Sequence, residues 1–311
     1  MNIIGLDSLV FGVDDFDASV NCLRDYGLKK VDRRQNGALY EALDGTSVEV
    51  RRAGDTGLAE AFGRSPNIRE TIYGVADQAT LEAIGVELGK DRPVVLDAEG
   101  VLHAKDDSGI PIGFRVTTRR PIIAPPVLIN VPGMTPQRPP NVVASRPEAE
   151  AEPRSLSHVV YFVPDVVKAE RFYVERLGFR VVDRFTNVGP FLRPAGTFEH
   201  HTLFLIGAPA QLTGINHFTF HMGGASELLQ AGWKFRNKGW KGFWGPGRHV
   251  FGSNYFWYFN SPFGGTIEYD ADMDQHDDSW VPRATEAAEE TSQIFLMDYK
   301  PLWFPRGGDD H

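Results

Sequence analysis

Residues 158–163 read as a strand whose side chains alternate between two faces, with His158, Val160 and Phe162 sharing one of them. Pro164-Asp165 follows, and the Asp165 carboxylate is placed to cap a helix by accepting its free N–H groups. Apolar residues that include Val167, Phe172 and Val174 predict that helix over 166–176, and Gly178 suits the left-handed turn that ends it. A further strand begins at Phe179-Arg180-Val181-Val182. Strands are predicted again at 202–206, 215–221, 255–260 and 265–270, the last after the turn Ser261-Pro262-Phe263-Gly264. A second helix is predicted over 225–238.

The same strand–helix–strands unit recurs about four times, near 4–52, 67–117, 156–206 and 215–270. Shifting the chain by 151 positions lays Asp7 on His158, Asp14 on Asp165, Gly27 on Gly178 and Asp32-Arg33 on Asp183-Arg184. The pattern predicts an α+β chain of two tandem domains, 1–118 and 156–275, each made of two units curled into an open barrel. Between them, 119–155 holds nine prolines from Pro121 to Pro153, which suit neither a helix interior nor a paired strand, and is read as a linker. The tail, 276–311, is acidic with apolar islands at Ile294-Phe295-Leu296 and Trp303-Phe304, and is expected to pack over the domains.

Composition narrows the function classes. A net charge of −9 argues against nucleic acid or an anionic membrane as partner. The lone Cys22 excludes an internal disulfide framework and a cysteine-built metal cluster. No run approaches the roughly 20 apolar residues that span a bilayer, and the start, Met1-Asn2-Ile3-Ile4-Gly5, lacks a secretory pattern. A cytoplasmic protein is expected.

The histidines change the picture most. Of nine, only His103 precedes residue 158, whereas His158, His200, His201, His217, His221 and His249 crowd into the second repeat. His158 opens the third unit, His217 opens the fourth, and Glu268 lies on the strand that closes the fourth. If these strands pair as the repeat implies, two imidazoles and a carboxylate meet on one concave face. Such a facial triad leaves positions open and suits non-heme Fe(II), while the ligand types also admit Mn(II) or Zn(II). His221 shares a face with His217 and is read as structural. The first half offers Asp7 at the first ligand position and a glycine, within Gly109–Phe114, at the last, and is expected to bind no metal.

Gly247-Arg248-His249, Phe256-Trp257-Tyr258, Asn260-Ser261-Pro262-Phe263-Gly264 and Glu268, together with His200-His201-Thr202-Leu203 and Ile215-Asn216-His217-Phe218, resemble the type I extradiol ring-cleaving dioxygenases of the vicinal oxygen chelate superfamily. Tyr258 stands ten residues before Glu268 and His249 nineteen before it, nearly the family's spacing. Trp257 and Ser261 depart from the residues usual in that family beside the tyrosine and before the proline.

The resemblance implies Fe(II) held by His158, His217 and Glu268, with catechol and O2 as substrates and a muconate semialdehyde-type product. It favours His200 as the general acid, with His201, on the opposite face of the strand, as the alternative, and it assigns Tyr258 and His249 to hydrogen-bond the diol; His201, Arg248, Trp244, Phe251 and Trp257 are further candidates for the substrate pocket. Arg193 and Arg248 are further candidates for meeting a substrate carboxylate. A symmetric homo-oligomer is expected. Alternatives from the same superfamily are a hydroquinone dioxygenase, isomerase or lyase using Mn(II) or Zn(II), or a metal-free binding protein.

Overall fold

The computed structural model describes residues 1–31, 37–61, 67–125 and 127–297. Asp32-Arg33 of the repeat, and Trp303-Phe304 and His311 of the tail, lie outside the described residues. Among those described, the strands form one eight-stranded sheet from the first half and one ten-stranded sheet from the second, the two-domain α+β plan that the repeat predicts. Between Val116 and Ser155 the described residues hold no helix or strand.

Both sheets are built alike. In the second, the opening strands Ser155–Val163 and Gly214–His221 lie side by side, antiparallel, at the centre. Each is flanked in parallel by the strand that closes its own unit: Leu203–Gly207 beside the first and Thr266–Ala271 beside the second. In the first half Ile3–Val13 and Asn67–Val75 take the central places, flanked by Ser47–Arg52 and Pro111–Val116. Period-2 burial therefore aims alternate residues of four strands into the hollow of each sheet, while the helices cover the outer face.

Local sequence accounts for the unit boundaries. Asp165 accepts from the Lys168 N–H at 2.9 Å and starts the helix Val166–Arg171. In the first copy Asp15, rather than Asp14, does the same through Ala18. The repeat offset thus drops by one at the helix start and returns at Gly27 and Gly178. The second copy absorbs the extra residue in a π-helical turn, Phe172–Arg176. Gly27 and Gly178 both adopt positive φ, as the chain reversal requires.

The domains pack through a continuous apolar core. Phe11 meets Phe218 and Phe263, at ring distances of 5.3 and 4.9 Å. Tyr26 stacks on Tyr269 at 3.9 Å and donates its hydroxyl to the backbone carbonyl of Glu268. The first half thereby braces the back of the strand that carries the carboxylate. The tail adds the outermost strands of the second sheet, Arg283–Thr285 beside Phe179–Phe185 and Gln293–Leu296 beside Gly242–His249. Among the described residues, no helix is long and apolar enough to cross a membrane.

Candidate metal centre

Strand register brings the three predicted ligands together. Glu268 pairs with Thr219 on one side and Tyr258 on the other, while His217 pairs with Val160, two residues along from His158. The Nε2 atoms of His158 and His217 stand 3.3 Å apart, and each faces Glu268 Oε2, at 3.1 and 3.4 Å. All three side chains are buried. One ligand atom from each lies within 4.8 Å of the others, and no other such group of three occurs among the described residues.

The surroundings prepare these groups for a cation. His217 Nδ1 lies 2.5 Å from Asn216 Oδ1, an acceptor that fixes the Nδ1–H tautomer and leaves the Nε2 lone pair aimed inward. Burial drives His217 down to about 3, so its imidazole stays neutral, as a ligand must. His158 Nδ1 contacts Ser157 Oγ at 2.9 Å, and that hydroxyl donates to Asp270. Burial would raise Glu268, but the His158 imidazole, 3.1 Å from its Oε2, holds it below the carboxylate range. Thr219 donates to its Oε2, while Oε1 is buried with no hydrogen-bond partner. An unpartnered buried carboxylate oxygen beside two inward-facing imidazole nitrogens is a donor set complete except for its cation.

His158 and His217 line a cavity of about 850 Å³. Tyr258 and His249 line one side, with His249 Nε2 3.2 Å from the Tyr258 hydroxyl. His249 ends the strand Gly242–His249. Trp244 and Phe251 line the wall, and Val160 and Phe162 line it beside His158.

Several expected residues lie elsewhere. His201, not His200, lines the cavity, its ring 4.2 Å from that of His158. His200 is fully buried behind it and bonds Asp183 at 2.7 Å. Trp257 faces away from the cavity because its neighbour Tyr258 faces in. Its indole packs where a Cβ on Gly232 would fall, 2.3 Å away. Arg248 pairs with Asp272 at 2.9 Å and covers the Tyr255 ring, outside the cavity. Arg193 is buried against the Thr197 carbonyl and Asp278. His221 lies between Asp270 and Glu199, 2.6 and 3.2 Å away, which together raise it well above the usual histidine range despite burial. Asp7 bonds Arg115, Thr117 and Arg119.

Sequence reading missed the aromatic wall of Phe185, Phe191 and Phe204. It also missed Asn254, whose buried amide borders the cavity with no hydrogen-bond partner at either atom. Among the described residues, no Lys, Arg, Asp or Glu is on the cavity wall.

Known proteins share this architecture. The sequence model of the Glyoxalase/Bleomycin resistance protein/Dioxygenase superfamily matches residues 155–269. Metapyrocatechase 2 of Cupriavidus necator is 39% identical over 122 residues, which cover 39% of this chain and 38% of that protein. The match therefore spans well under half of that relative. The crystal structure of the Mn(II)-bound glyoxalase from Novosphingobium aromaticivorans superposes with a TM-score of 0.73 at 21% identity, over 94% of this chain and 90% of that one. BphC, a halotolerant catechol dioxygenase, gives a TM-score of 0.74 at 15% identity, over 95% and 94%. At those identities the structural likeness speaks for the fold alone. Residues 155–269 are thus similar to the glyoxalase, bleomycin resistance protein and dioxygenase superfamily, and the chain as a whole shares the two-sheet fold of these structures.

Proposed function

We propose that the chain is an extradiol dioxygenase that uses Fe(II), held by His158, His217 and Glu268, to insert both atoms of O2 beside the diol of a catechol-type ring. The observation that carries this reading is the buried triad, two of whose ligands, His158 and His217, line an aromatic cavity together with His201, His249 and Tyr258. Relatives in sequence and fold, metapyrocatechase and a catechol dioxygenase among them, support it. Bound Fe(II) would lower the pKa of a chelated catechol and bring the diol and O2 together at one ion.

The residues of this chain supply the rest. Tyr258 and His249 are hydrogen-bonded to each other at the cavity edge and offer donors to a catechol oxygen, fixing the ring's orientation. His201 takes the acid–base role that sequence reading had given to His200. Burial holds His201 well below the usual histidine range, so its imidazole is neutral in the free protein, the state a general base needs before it takes a proton from the diol. The neighbouring His158 and Phe191 rings keep that imidazole against the cavity. Phe185, Phe191, Phe204 and Phe251 exclude water from the site.

The wall also points to a substrate class. Benzene fits a cavity of roughly 150 Å³, so about 850 Å³ leaves room for a second ring or a long apolar substituent. With no cationic side chain on the wall, a substrate carboxylate would be buried unpaired, at a cost of several kcal/mol. An apolar, alkyl- or aryl-substituted catechol is therefore favoured over a carboxylated one, and the free Asn254 amide is placed to take one neutral polar substituent.

The test is oxygen uptake by protein reconstituted anaerobically with Fe(II), over catechols with alkyl, phenyl and carboxylate substituents. A yellow ring-fission product, formed fastest from the apolar members, is expected. Absence of oxygen uptake with every member would overturn the proposal, and turnover only with Mn(II) would reassign the metal.

A further inference from the structure

We propose that His200, Asp183 and Arg283 are positioning residues that fix which nitrogen of His201 carries the proton, and so keep a bare Nε2 lone pair facing the cavity. The proposal rests on the reading of His201 as the proton-transferring group.

The chain of contacts has a single polarity. Asp183 is fully buried and receives the backbone N–H of Arg283 at 2.8 Å, the Arg283 Nε at 3.1 Å and its Nη2 at 2.5 Å. Burial would raise its carboxyl, but the hydrogen bonds from His200 and Arg283 hold it down at about 2. It is therefore an acceptor only. His200 Nε2, 2.7 Å from Asp183 Oδ2, must then carry the His200 proton. Arg283 already neutralises Asp183 and His200 is fully buried, so a second cation there would lack a counter-charge; the ring carries that one proton and its Nδ1 is bare. The His201 Nδ1 lies 3.0 Å from that bare nitrogen, and the contact is a hydrogen bond only if His201 donates from Nδ1. A neutral His201 then has no proton on Nε2.

The anchor of this chain is not part of the barrel. Arg283 belongs to the tail strand Arg283–Thr285, which pairs with Phe179–Phe185 so that Arg283 and Asp183 lie opposite each other. Its guanidinium covers the rings of Phe251 and Trp280, at 4.9 and 5.2 Å. Phe251 is itself a wall of the cavity. Arg283 thus reaches His201 through two side chains, Asp183 and His200, and the cavity through one, Phe251. Packing alone would not require a buried Asp–His–His series with every bridging nitrogen matched in polarity.

The experiment uses protein labelled with ¹⁵N-histidine and freed of metal, in which two-bond ¹H–¹⁵N spectra report each imidazole tautomer. The His201→Asn spectrum identifies the His201 signals. Wild-type protein is expected to show His201 protonated on Nδ1. In Asp183→Asn, the new amide N–H₂ facing His200 reverses the chain and moves the His201 proton to Nε2. On the iron-loaded enzyme, Asp183→Asn is expected to lower kcat about 100-fold, the low end for a lost acid–base group, with KM changed less than about 3-fold. Arg283→Ala keeps the carboxylate and is expected to broaden or mix the tautomers with a smaller loss of kcat. It serves if Asp183→Asn does not fold. A wild-type His201 protonated on Nε2, or an unchanged tautomer in both variants, overturns the proposal. Because the tautomer is read without metal or substrate, failure of the wild-type enzyme to cleave catechols would refute the functional reading and leave this result standing.

Discussion

Replacing Glu268 by Gln removes the only formal charge of the triad while keeping its shape. Glu268 is fully buried, accepts from Thr219 at Oε2 and leaves Oε1 unpartnered, so the amide oxygen can retain the Thr219 bond. The fold should survive, and the loss should fall on the metal. At free metal one hundred times the wild-type Kd, binding stabilises the folded state by about 2.7 kcal/mol. For a domain of this size that raises Tm by roughly 5–10 °C. Outer partners of metal ligands contribute about 10–100-fold to affinity, so removal of a charged ligand should weaken binding by at least about 100-fold. At the same metal concentration only about 0.4 kcal/mol remains, a shift of roughly 1–2 °C. The assay is anaerobic calorimetry of metal-stripped protein with and without Mn(II) or Fe(II), with Glu175→Gln, on the exposed surface, as the control. A Glu268→Gln protein that keeps the full metal-induced shift, or a wild-type protein that shows none, would refute the reasoning.

Other outcomes follow from the same geometry. His201→Asn should lower kcat by about 10²- to 10⁴-fold with bound metal unchanged, as steady-state kinetics paired with metal analysis will show. Arg248→Ala should leave KM for every catechol within about 2-fold, because its partner is Asp272 outside the cavity and exposed ion pairs contribute little; a selective rise for carboxylated catechols would return Arg248 to the pocket. Asp106, buried between the domains and bonded by the Tyr173 hydroxyl, is raised by burial from 3.8 to about 6. Its neutral form is the one favoured on folding, so its contribution is complete below about pH 4 and is lost as pH rises to about 6, by about 3 kcal/mol at most. Asp106→Asn should flatten that slope in urea unfolding measured at pH 4 and pH 7.

What the sequence revealed followed from period and repetition. His158, Val160 and Phe162 fall on one face by strand alternation, and the repeat pairs the strands of His158 and His217, which leads directly to the triad. The same alternation, applied to Tyr258, excludes Trp257 from the cavity, since neighbours on a strand point apart. His200 and His201 lie between the strands Gly189–Pro194 and Leu203–Gly207, where no regular period holds. Their orientation is set by Asp183 and Arg283, the latter separated by 100 residues from its partner. Arg248 was drawn off by Asp272, another contact between distant positions. The tail carried no apolar period that announced a strand, and its two added strands form by pairing to exposed sheet edges.

The most direct measurement is anomalous diffraction from crystals of Fe(II)- or Mn(II)-loaded protein, recorded at the absorption edge of the metal. The account predicts one ion per chain within about 2.0–2.2 Å of His158 Nε2, His217 Nε2 and a Glu268 oxygen, the usual reach of such ligands. An ion bound elsewhere, or a loaded crystal with no anomalous peak between these three side chains, would contradict it.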